Sequence, residues 1–594
     1  MSSAIKKKWT ISSAADEEKV KNLSEEINVP ASLAGILVTR NIFSRADAKK
    51  FFVHDLSNLY DPFLMKGMEK ASERIVEVVK NKEKILIFGD YDVDGTSGVS
   101  MFHMFLRELG VPNEVFIPDR FTDGYGLSNT GIDVANSLGI KLIVAIDCGI
   151  TAVDKVDYAN SLGIDMIICD HHQPPEILPD AYAILDALQK DCNYPFKSLC
   201  GTGVAFKLIQ AVCKKLDIDE WHNLIDFVAV ATAADMVPVL DENRTLISCG
   251  FRQILSNPRP SFATIFKNSS LKLEHITTSN VVFTIGPRIN AVGRLGDATR
   301  AVKFLTSKSI LEAEELMSVL EMENSNRKKI DSEIYLQAQN SYETYKTGVV
   351  NADEKEDVAI VLHNPEWHPG VLGIIASRMV EKYYRPSIIL TTFNGYAKGS
   401  ARSINNFNIY EAIKRTSEEC GAVVQFGGHY HAAGVEIEIE KVEEFRSTFN
   451  RIASSIIDNS VNGKELLVPE IKVDAEIDVT DVNQRFVKIL SHFEPFGPGN
   501  MTPIFLTRNL QIVGEPKTYN GSTTVFKVRK NSQNGSRFDN YMFDCVYYQS
   551  PDLDTDSRNN LKTGNNIDII YSVEENHWNG NTKTQFRIRD IRIN

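Results

Sequence analysis

Three short apolar runs in this chain end in acidic or histidine residues, and this pattern constrains the fold more than any other feature. The runs are Ile85–Phe88, Leu142–Ile146 and Met166–Cys169, and the acidic stretches that follow them are Asp90-Tyr91-Asp92-Val93-Asp94-Gly95, Asp147-Cys148-Gly149 and Asp170-His171-His172. Apolar runs of this length between helical stretches are typical of buried parallel strands. Because open α/β sheets bind ligands at the carboxyl ends of their strands, five aspartates and two histidines are expected at one edge of the sheet. This composition predicts a site for hard divalent metals.

Length and composition bound the class of protein. A chain of 594 residues is too long for one core and favours three or four domains, and 43% hydrophobic with 24% charged residues is typical of soluble globular proteins. The basic start, Met1–Lys8, has no hydrophobic segment behind it, so neither a signal peptide nor a membrane span is expected. The eight cysteines form no Cys-x-x-Cys pair, which predicts reduced structural thiols in the cytoplasm. A net charge of −13 weakly disfavours general nucleic-acid binding and leaves that task to a local basic groove.

The order of predicted elements divides the chain into five parts of an α/β protein. Residues 1–60 form a helical segment, and residues 61–308 alternate strands and helices in the order of a doubly wound parallel sheet, the catalytic domain. Residues 309–346 form one long charged helix that links this domain to a second, smaller α/β domain at 347–462. Residues 463–594 contain five short strands with polar turns, which favours an OB-like β-barrel.

The predicted site has more carboxylates than one cation requires. Mixed carboxylate and imidazole ligands favour Mn²⁺ or Mg²⁺ over zinc. The sequence Asp90-x-Asp92-x-Asp94-Gly95 could also open a calcium-binding loop, but position twelve of such a loop is Met101, which cannot bind the ion. Asp235, which follows the apolar helix Phe227–Ala231, is a further expected ligand. Two ions, about 3.5–4 Å apart and bridged by an aspartate, are therefore predicted, and hydrolysis of a phosphoester or phosphoanhydride is the natural reaction.

The order of these motifs resembles the DHH phosphoesterase superfamily and, within it, the RecJ family of 5′→3′ exonucleases specific for single-stranded DNA. The four motifs are Asp-x-Asp-x-Asp-Gly, Val-x-x-Asp-Cys-Gly, Asp-His-His and Ala-Ala-Asp, and the region Gly427-Gly428-His429 resembles the companion DHHA1 domain. Further segments that fit the family are Ile117–Phe121, Gly124–Leu127, Gly286–Arg294, Trp367–Val371, Lys398–Ser403 and Pro495–Asn500. The resemblance covers nearly the whole chain.

The resemblance also implies a role for each matching residue. The implied ligands of the two Mn²⁺ or Mg²⁺ ions are Asp92, Asp94, Asp147, His171 and Asp235, with Asp147 shared by both ions. The implied catalytic residues are Asp90 as a nearby carboxylate or base, Asp147, and three contacts to the scissile phosphate, His172, Arg294 and His429. The implied substrate-binding residues, which include the grip on a 5′-terminal phosphate, are Arg120, Arg288, Ser400 and Arg402.

The predicted barrel would hold the incoming strand by base stacking and by contacts from lysine and arginine. The candidates for this role are Tyr519, Phe526, Lys527, Arg529, Lys530, Tyr547 and Tyr548. The resemblance implies a monomeric cytoplasmic enzyme that degrades single-stranded DNA from a 5′ end to mononucleotides in recombination and repair. It also implies a single-strand-binding protein and a helicase as partners, and no membrane.

Two alternatives remain open at this point. One is a DHH/DHHA1 phosphodiesterase that acts on short oligonucleotides or cyclic dinucleotides, and the predicted barrel and linking helix speak against it. The other is a non-catalytic replication scaffold that binds single strands. Such scaffolds have lost metal ligands, whereas every expected carboxylate and histidine is present here.

Overall fold

The computed structural model describes residues 6–12, 15–269, 271, 275–348, 357–520, 522–530, 541–548, 561–578 and 581–594. The chain folds into two compact units. The first unit comprises residues 44–327 and 492–502, and the second comprises residues 1–43, 328–491 and 503–594. Within the described ranges, no helix is long and apolar enough to cross a membrane. All eight cysteines lie in these ranges and are free thiols.

The helices and strands are numbered along the chain. The helices are α1 Glu17–Ile27, α2 Ala31–Thr39, α3 Arg45–Phe52, α4 Met68–Asn81, α5 Val93–Glu108, α6 Asn129–Ser137, α7 Val153–Ser161, α8 Gly201–Leu216, α9 Ile225–Ala234, α10 Asp241–Ser256, α11 Pro260–Ser269, α12 Thr278–Asn280, α13 Gly286–Leu295, α14 Thr299–Leu305, α15 Ile310–Gly348, α16 Leu372–Tyr383, α17 Ile409–Cys420, α18 Val442–Asp458 and α19 Gln484–Ser491. The strands are β1 Lys8–Ile11, β2 Ile85–Gly89, β3 Asn113–Phe116, β4 Leu142–Ile146, β5 Asp165–Cys169, β6 Ala183–Leu185, β7 Ile360–His363, β8 Ser387–Phe393, β9 Tyr396–Arg402, β10 Val423–Gly428, β11 Ala432–Glu438, β12 Glu470–Val473, β13 Ala475–Glu476, β14 Phe505–Tyr519, β15 Thr523–Lys530, β16 Phe543–Tyr547, β17 Asn566–Trp578 and β18 Asn581–Ile593.

The first unit is built on a five-stranded parallel sheet in the order β3-β2-β4-β5-β6. Alternate residues of β2 enter different cores, because successive side chains of a strand point to opposite faces. Ile85 and Ile87 belong to the larger core, which includes residues of α4, α5 and α8, whereas Leu86 and Phe88 pack with residues of α6 and α7. Helices therefore cover both faces of the sheet, which confirms the predicted doubly wound architecture.

The long helix α15 contributes to the cores of both units, as predicted for a linking helix. Its first part places Ala313, Met317 and Leu320 in the larger core of the first unit. Its later part places Ile334 and Ala338 in a core of the second unit, together with residues of α16.

The second unit contains a mixed sheet in the order β10-β11-β9-β8-β7, in which only β7 and β8 run parallel. Residues of α17 and α18 form the core on one face, and residues of α16 lie on the other. The sequence predicted strands at residues 358–362, 386–390 and 399–403, which overlap β7, β8 and β9, but it assigned none to the glycine-rich segment. That segment forms the hairpin β10–β11.

The C-terminal strands close into a five-stranded barrel, as predicted. The neighbours run β14-β15-β16-β18-β17, and β17 pairs back onto β14. The sequence predicted a short first barrel strand at residues 504–506. The strand β14 instead extends over 15 residues and bends at two register shifts, which lets it pair with both β15 and β17. The N-terminal strand β1 is also part of the second unit, where it pairs in parallel with β12.

Candidate metal centre

The carboxyl ends of three adjacent strands supply the acidic cluster. Asp90 follows β2, Asp147 follows β4 and Asp170 follows β5, and these strands lie side by side in the sheet. All three carboxylates are buried. The structure therefore confirms the prediction that acidic side chains lie together at this edge of the sheet.

His171 lies at the centre of the cluster. Its Nε2 atom is 3.1 Å from Asp147 Oδ1, 3.7 Å from Asp235 Oδ2 and 3.9 Å from Asp94 Oδ2. Burial lowers the pKa of His171, which favours the neutral imidazole that can bind a metal.

Three overlapping groups of side chains bring their ligand atoms within 4.8 Å of one another. They are Asp147 with His171 and His172, Asp94 with His171 and Asp235, and Asp90 with Asp92 and Asp147. Asp147 and His171 each belong to two of these groups, and of the two only the Asp147 carboxylate has two oxygens with which two ions could share it.

Several oxygens in the cluster are buried without a hydrogen-bond donor. Within the described part of the chain, Asp90 Oδ1, Asp147 Oδ1 and Asp235 Oδ2 have no hydrogen-bond partner. Buried polar atoms are nearly always satisfied in folded proteins, so three such oxygens in one place require an explanation. Hard cations with oxygen ligands provide it, and the residues present therefore fit Mn²⁺ or Mg²⁺.

The electrostatics of the cluster support the same conclusion. Burial, and after it the charge of neighbouring aspartates, raises the pKa values of Asp90, Asp92 and Asp147 and raises the pKa of Asp235 to about 9. So many carboxylates cannot all ionise in a buried place unless positive charge compensates them. Divalent cations supply such charge.

The local backbone holds each acidic side chain in place. Asp92 is the N-cap of α5 and accepts a hydrogen bond from the Gly95 amide at 3.1 Å. Both oxygens of Asp94 accept backbone amides at the start of α8, from Gly201 at 2.7 Å and Thr202 at 2.9 Å. Asp147 has a φ of 63°, a strained conformation for a residue other than glycine that is typical of functional sites.

Asp170 orients His172 rather than belonging to a metal-binding group. Its Oδ1 atom lies 2.7 Å from His172 Nδ1, and its Oδ2 accepts the Ile150 amide at 2.9 Å. Although burial alone would lower the pKa of His172, the hydrogen bond and charge of Asp170 raise it to about 9. The Asp170 carboxylate thus favours the protonated imidazole, whose positive charge suits a phosphate oxygen.

The sequence placed Asp170 in the acidic cluster without a task of its own and gave no role to Tyr125, and the structure brings both side chains to His172. The Tyr125 hydroxyl lies 3.1 Å from His172 Nε2, and the residue is 59% exposed. The signal for Asp170 was its position directly before the two histidines. For Tyr125 the only signal in the sequence was its position between two glycines.

The three predicted arginines of the first unit have different surroundings. The guanidinium of Arg120 lies 4.1 Å from the centre of the Tyr91 ring, and its positive charge partly offsets the rise that burial causes in the pKa of Asp90. Burial raises the pKa of Tyr91 to about 12, and the positive charge of Arg294 partly offsets this rise. Arg288 instead pairs with Glu321 at 2.6 Å and donates to the Thr284 carbonyl, so a structural contact already occupies its guanidinium.

The remaining predicted site residues lie in the second unit. On β9, Arg402 Nη1 donates to Ser400 Oγ at 2.8 Å, and burial lowers the Arg402 pKa from its usual high value. Both side chains lie at the first turn of α16, because a Cβ atom on Gly373 would stand 2.9 Å from Arg402 Nη2 and 3.2 Å from Ser400 Oγ. His429 follows β10 in the hairpin β10–β11 and is exposed. Their roles remain predictions.

The barrel candidates divide into two groups. Phe526 and Tyr547 are buried in the barrel, so the expectation that they stack on bases is wrong for these two residues. Tyr519 and Tyr548 are exposed and remain candidates, as do the basic residues Lys527, Arg529 and Lys530. Alternation along a strand explains the division, since neighbouring side chains face the core and the solvent in turn.

The family matches agree with this architecture. Residues 84–232 match the DHH family N-terminal domain, residues 356–455 match the DHHA1 domain and residues 473–590 match the RecJ OB domain. The barrel match and the assembled metal-binding groups disfavour both the small-substrate phosphodiesterase and the non-catalytic scaffold.

Individual relatives extend these matches over the whole chain. The single-stranded-DNA-specific exonuclease RecJ of Bacillus subtilis is 35% identical over 594 residues, covering 99% of this chain and 71% of the relative. The fold is similar to that of RecJ from Thermus thermophilus in complex with Mn²⁺, with a TM-score of 0.79 and 24% identity over 98% of this chain and 79% of that chain. A manganese-bound exonuclease RecJ structure is 28% identical with a TM-score of 0.57, covering 68% of this chain and 99% of that chain. The chain belongs to the RecJ family of single-stranded-DNA-specific exonucleases.

Proposed function

We propose that this protein is a metal-dependent nuclease that hydrolyses single-stranded DNA from its 5′ end and releases mononucleotides. The observation that carries the proposal is the buried group of carboxylates around His171, which contains three oxygens without hydrogen-bond partners in the described ranges. Membership of the RecJ family, whose relatives are described as specific for single-stranded DNA, supports the substrate.

The proposed ligands are the residues that the cluster brings together. Asp92, Asp94, His171 and Asp235 would each hold one ion, and Asp147 would hold both. When bound, two divalent cations neutralise charge on the phosphodiester and lower the pKa of a water molecule for attack at phosphorus. Asp90, whose pKa burial raises well above its ordinary range, would accept or hold a proton beside them.

The charged residues around the carboxylates would bind the scissile phosphate. His172, held in a fixed orientation by Asp170, presents its other ring nitrogen beside Tyr125 and would donate to a phosphate oxygen. Arg294 and His429 are proposed as further donors to the scissile phosphate. Positively charged donors suit this task because negative charge on the phosphoryl oxygens must be stabilised in the transition state.

The polarity of the reaction would come from a grip on the 5′-terminal phosphate. We assign this grip to Arg120, Ser400 and Arg402, since guanidinium groups bind phosphate oxygens through paired hydrogen bonds. Arg288 is a weaker candidate because Glu321 already pairs with it. Partner proteins in the proposal are a single-strand-binding protein and a helicase. The protein itself is proposed to be a cytoplasmic monomer, and its eight free thiols support a reducing compartment.

The substitution Asp147→Ala tests the proposal. Without the shared carboxylate the rate of nucleotide release should fall by about 10³-fold or more, while binding of single-stranded DNA should be largely kept. The measurement is release of labelled nucleotide with Mn²⁺ or Mg²⁺, paired with a filter-binding or anisotropy assay on the same strand. The exposed Asp180 provides a control through Asp180→Asn, which should not change the rate. Near-normal turnover by Asp147→Ala would contradict the two-metal assignment.

A further inference from the structure

We infer that Asn243 is a positioning residue for the metal ligands Asp94, Asp147 and Asp235. Asn243 touches none of the proposed ions or substrate groups, and it acts by fixing two backbone loops that carry or contact these ligands. The inference rests on the proposed metal centre and adds a residue to it that no sequence motif indicated. Asn243 lies in the first turn of α10, eight positions after Asp235.

The side-chain amide of Asn243 joins two loops that are distant in sequence. Its Nδ2 atom donates to the Ser198 carbonyl at 2.6 Å and to the Pro238 carbonyl at 3.0 Å. An amide nitrogen has two hydrogens, so these two bonds use its full donor capacity. Asn243 is fully buried, where such bonds are neither screened nor replaced by water.

The loop at Ser198 leads directly to residues that contact two of the ligands. Three residues further on, the amides of Gly201 and Thr202 hold the two oxygens of Asp94. Gly201 also lies so close to Asp147 that an added Cβ would stand 2.6 Å from the Asp147 Cβ. A shift of this loop would therefore move Asp94 and change the space around Asp147.

The loop at Pro238 begins at the third ligand. Asp235 is the C-cap of α9, and Met236 turns the chain with a φ of 58°. The loop is fixed on a second side, where the Val239 amide donates to the Pro498 carbonyl at 2.7 Å. The carbonyl that Asn243 holds, that of Pro238, stands only three positions after Asp235.

The neighbours of Asn243 give its side chain a rigid base. Glu242 accepts hydrogen bonds from the Tyr194 hydroxyl and from Lys207, both at 2.6 Å. Arg244 donates to the carbonyls of Phe51 and Pro495, both at 2.9 Å. The first turn of α10 is thus anchored through three consecutive buried side chains, and the amide between them has little freedom to move.

The other end of the Asn243 side chain shows that its position costs stability. Its Oδ1 atom is buried and has no hydrogen-bond partner within the described ranges. A residue that served only packing would avoid this cost, because an apolar side chain leaves no unsatisfied acceptor. The use of both donors on the two ligand loops is the compensating gain.

The experiment is Mn²⁺ binding to the full-length metal-free protein, measured by electron paramagnetic resonance and isothermal titration for the wild type, Asn243→Ala and Asp235→Asn. Loss of a residue that orients metal ligands typically weakens metal binding by about 10- to 100-fold. Asn243→Ala should therefore raise the Mn²⁺ dissociation constant of at least one ion by that factor. Wild-type affinity in folded Asn243→Ala would overturn the inference.

The matched control is Asn450→Ala in the second unit. Asn450 is also a buried asparagine whose amide joins two backbone segments, with Oδ1 accepting from Ala359 at 3.0 Å and Nδ2 donating to the Arg446 carbonyl. Asn450→Ala should lose stability without losing Mn²⁺ affinity. If Mn²⁺ binding weakens equally in Asn243→Ala and Asn450→Ala, the effect is general destabilisation and the inference is overturned.

If Asn243→Ala does not fold, Asn243→Ser keeps one donor and should still weaken Mn²⁺ binding. Unchanged Mn²⁺ affinity in Asn243→Ser would also overturn the inference. If Asp235→Asn binds Mn²⁺ as the wild type does, the proposed metal centre itself is wrong, which separates that failure from failure of the Asn243 assignment alone.

Discussion

At the scale of residues, the proposed role of Arg402 in binding a 5′-terminal phosphate predicts that its loss weakens the preference for phosphorylated 5′ ends. Arg402→Ala removes a half-buried guanidinium that is already oriented against Ser400. Because a hydrogen bond to a charged group contributes about 1.5–3 kcal/mol, the preference for a 5′-phosphate over a 5′-hydroxyl should fall by roughly 10- to 100-fold in kcat/KM. The exposed Arg415, paired with Glu411 on α17, gives the control Arg415→Ala. An unchanged preference in Arg402→Ala would refute the proposed 5′-phosphate grip.

The burial of Asp186 predicts that the stability of the first unit depends on pH. It follows the edge strand β6, and burial raises its pKa to about 7. The folded protein therefore holds a proton that the unfolded chain releases near pH 4, and stability is lost as the pH rises from about 4 to 7. Asp186→Asn removes this loss, so its free energy of unfolding should match the wild type near pH 4 and exceed it at pH 8 by up to about 4 kcal/mol.

Denaturant unfolding at several pH values checks this prediction. The exposed Asp180 serves as the control, since Asp180→Asn should have a pH profile parallel to the wild type. A stability gain in Asp186→Asn that is the same at pH 4 and pH 8 would show that Asp186 does not titrate in this range.

The sequence predicted the residues that stand at strand ends and missed those that act through tertiary contacts. Asp90, Asp147 and the Asp-His-His motif follow recognisable apolar runs, so their convergence follows from parallel pairing alone. Asn243 and Asp186 carry no such signal, because their importance depends on carbonyls and packing supplied by distant segments. The sequence pattern at Phe526 and Tyr547 fits base stacking and a core position equally well. Their burial shows that both residues belong to the core.

At the scale of elements, a buried ion pair joins α8 to α10. Lys207 and Glu242 are almost fully buried and 2.6 Å apart, and Lys207 also donates to the Tyr60 carbonyl. Lys207→Met would leave the Glu242 charge without its partner, which typically destabilises a protein by about 3–5 kcal/mol.

Urea unfolding measures this loss, and Lys214→Met on the same helix is the matched control. Lys214 pairs with Asp61 at the surface, where an ion pair contributes about 0–1 kcal/mol. Similar losses in the two variants would contradict the assignment. The double variant Lys207→Met, Glu242→Leu should recover part of the loss, since no uncompensated charge remains.

The sequence predicted the bounds of a strand well where a single apolar run extends over the whole strand. The bounds of β4 match the predicted run, whereas β2 ends one residue later and β5 begins one residue earlier than its predicted run. The hairpin β10–β11 was missed because its glycine-rich sequence has weak strand preference, and its strands are stabilised by pairing with β9. The length of β14 was underestimated because Asn509 and Gly514 interrupt the pattern, although the strand continues past both.

At the scale of the whole molecule, the order of domains along the chain was predictable and the composition of the two compact units was not. The N-terminal strand β1 pairs with β12, more than 450 residues later, and the short segment 492–502 belongs to the first unit. Both facts depend on pairings between distant segments, which leave no local periodicity in the sequence. The predicted boundaries of the five parts remain predictions.

The position of the label that is released first shows whether the proposed metal centre and 5′-phosphate grip act together as a 5′→3′ exonuclease on single strands. Single-stranded DNA labelled at either the 5′ or the 3′ end is incubated with the purified protein and Mn²⁺, alongside blunt duplex and a chelator control. The 5′ label should appear at once as a mononucleotide, the 3′ label should stay in shortening chains, and both the duplex and the chelated sample should stay intact. Immediate release of the 3′ label, equal attack on duplex, or activity without metal would show that the proposed function is wrong.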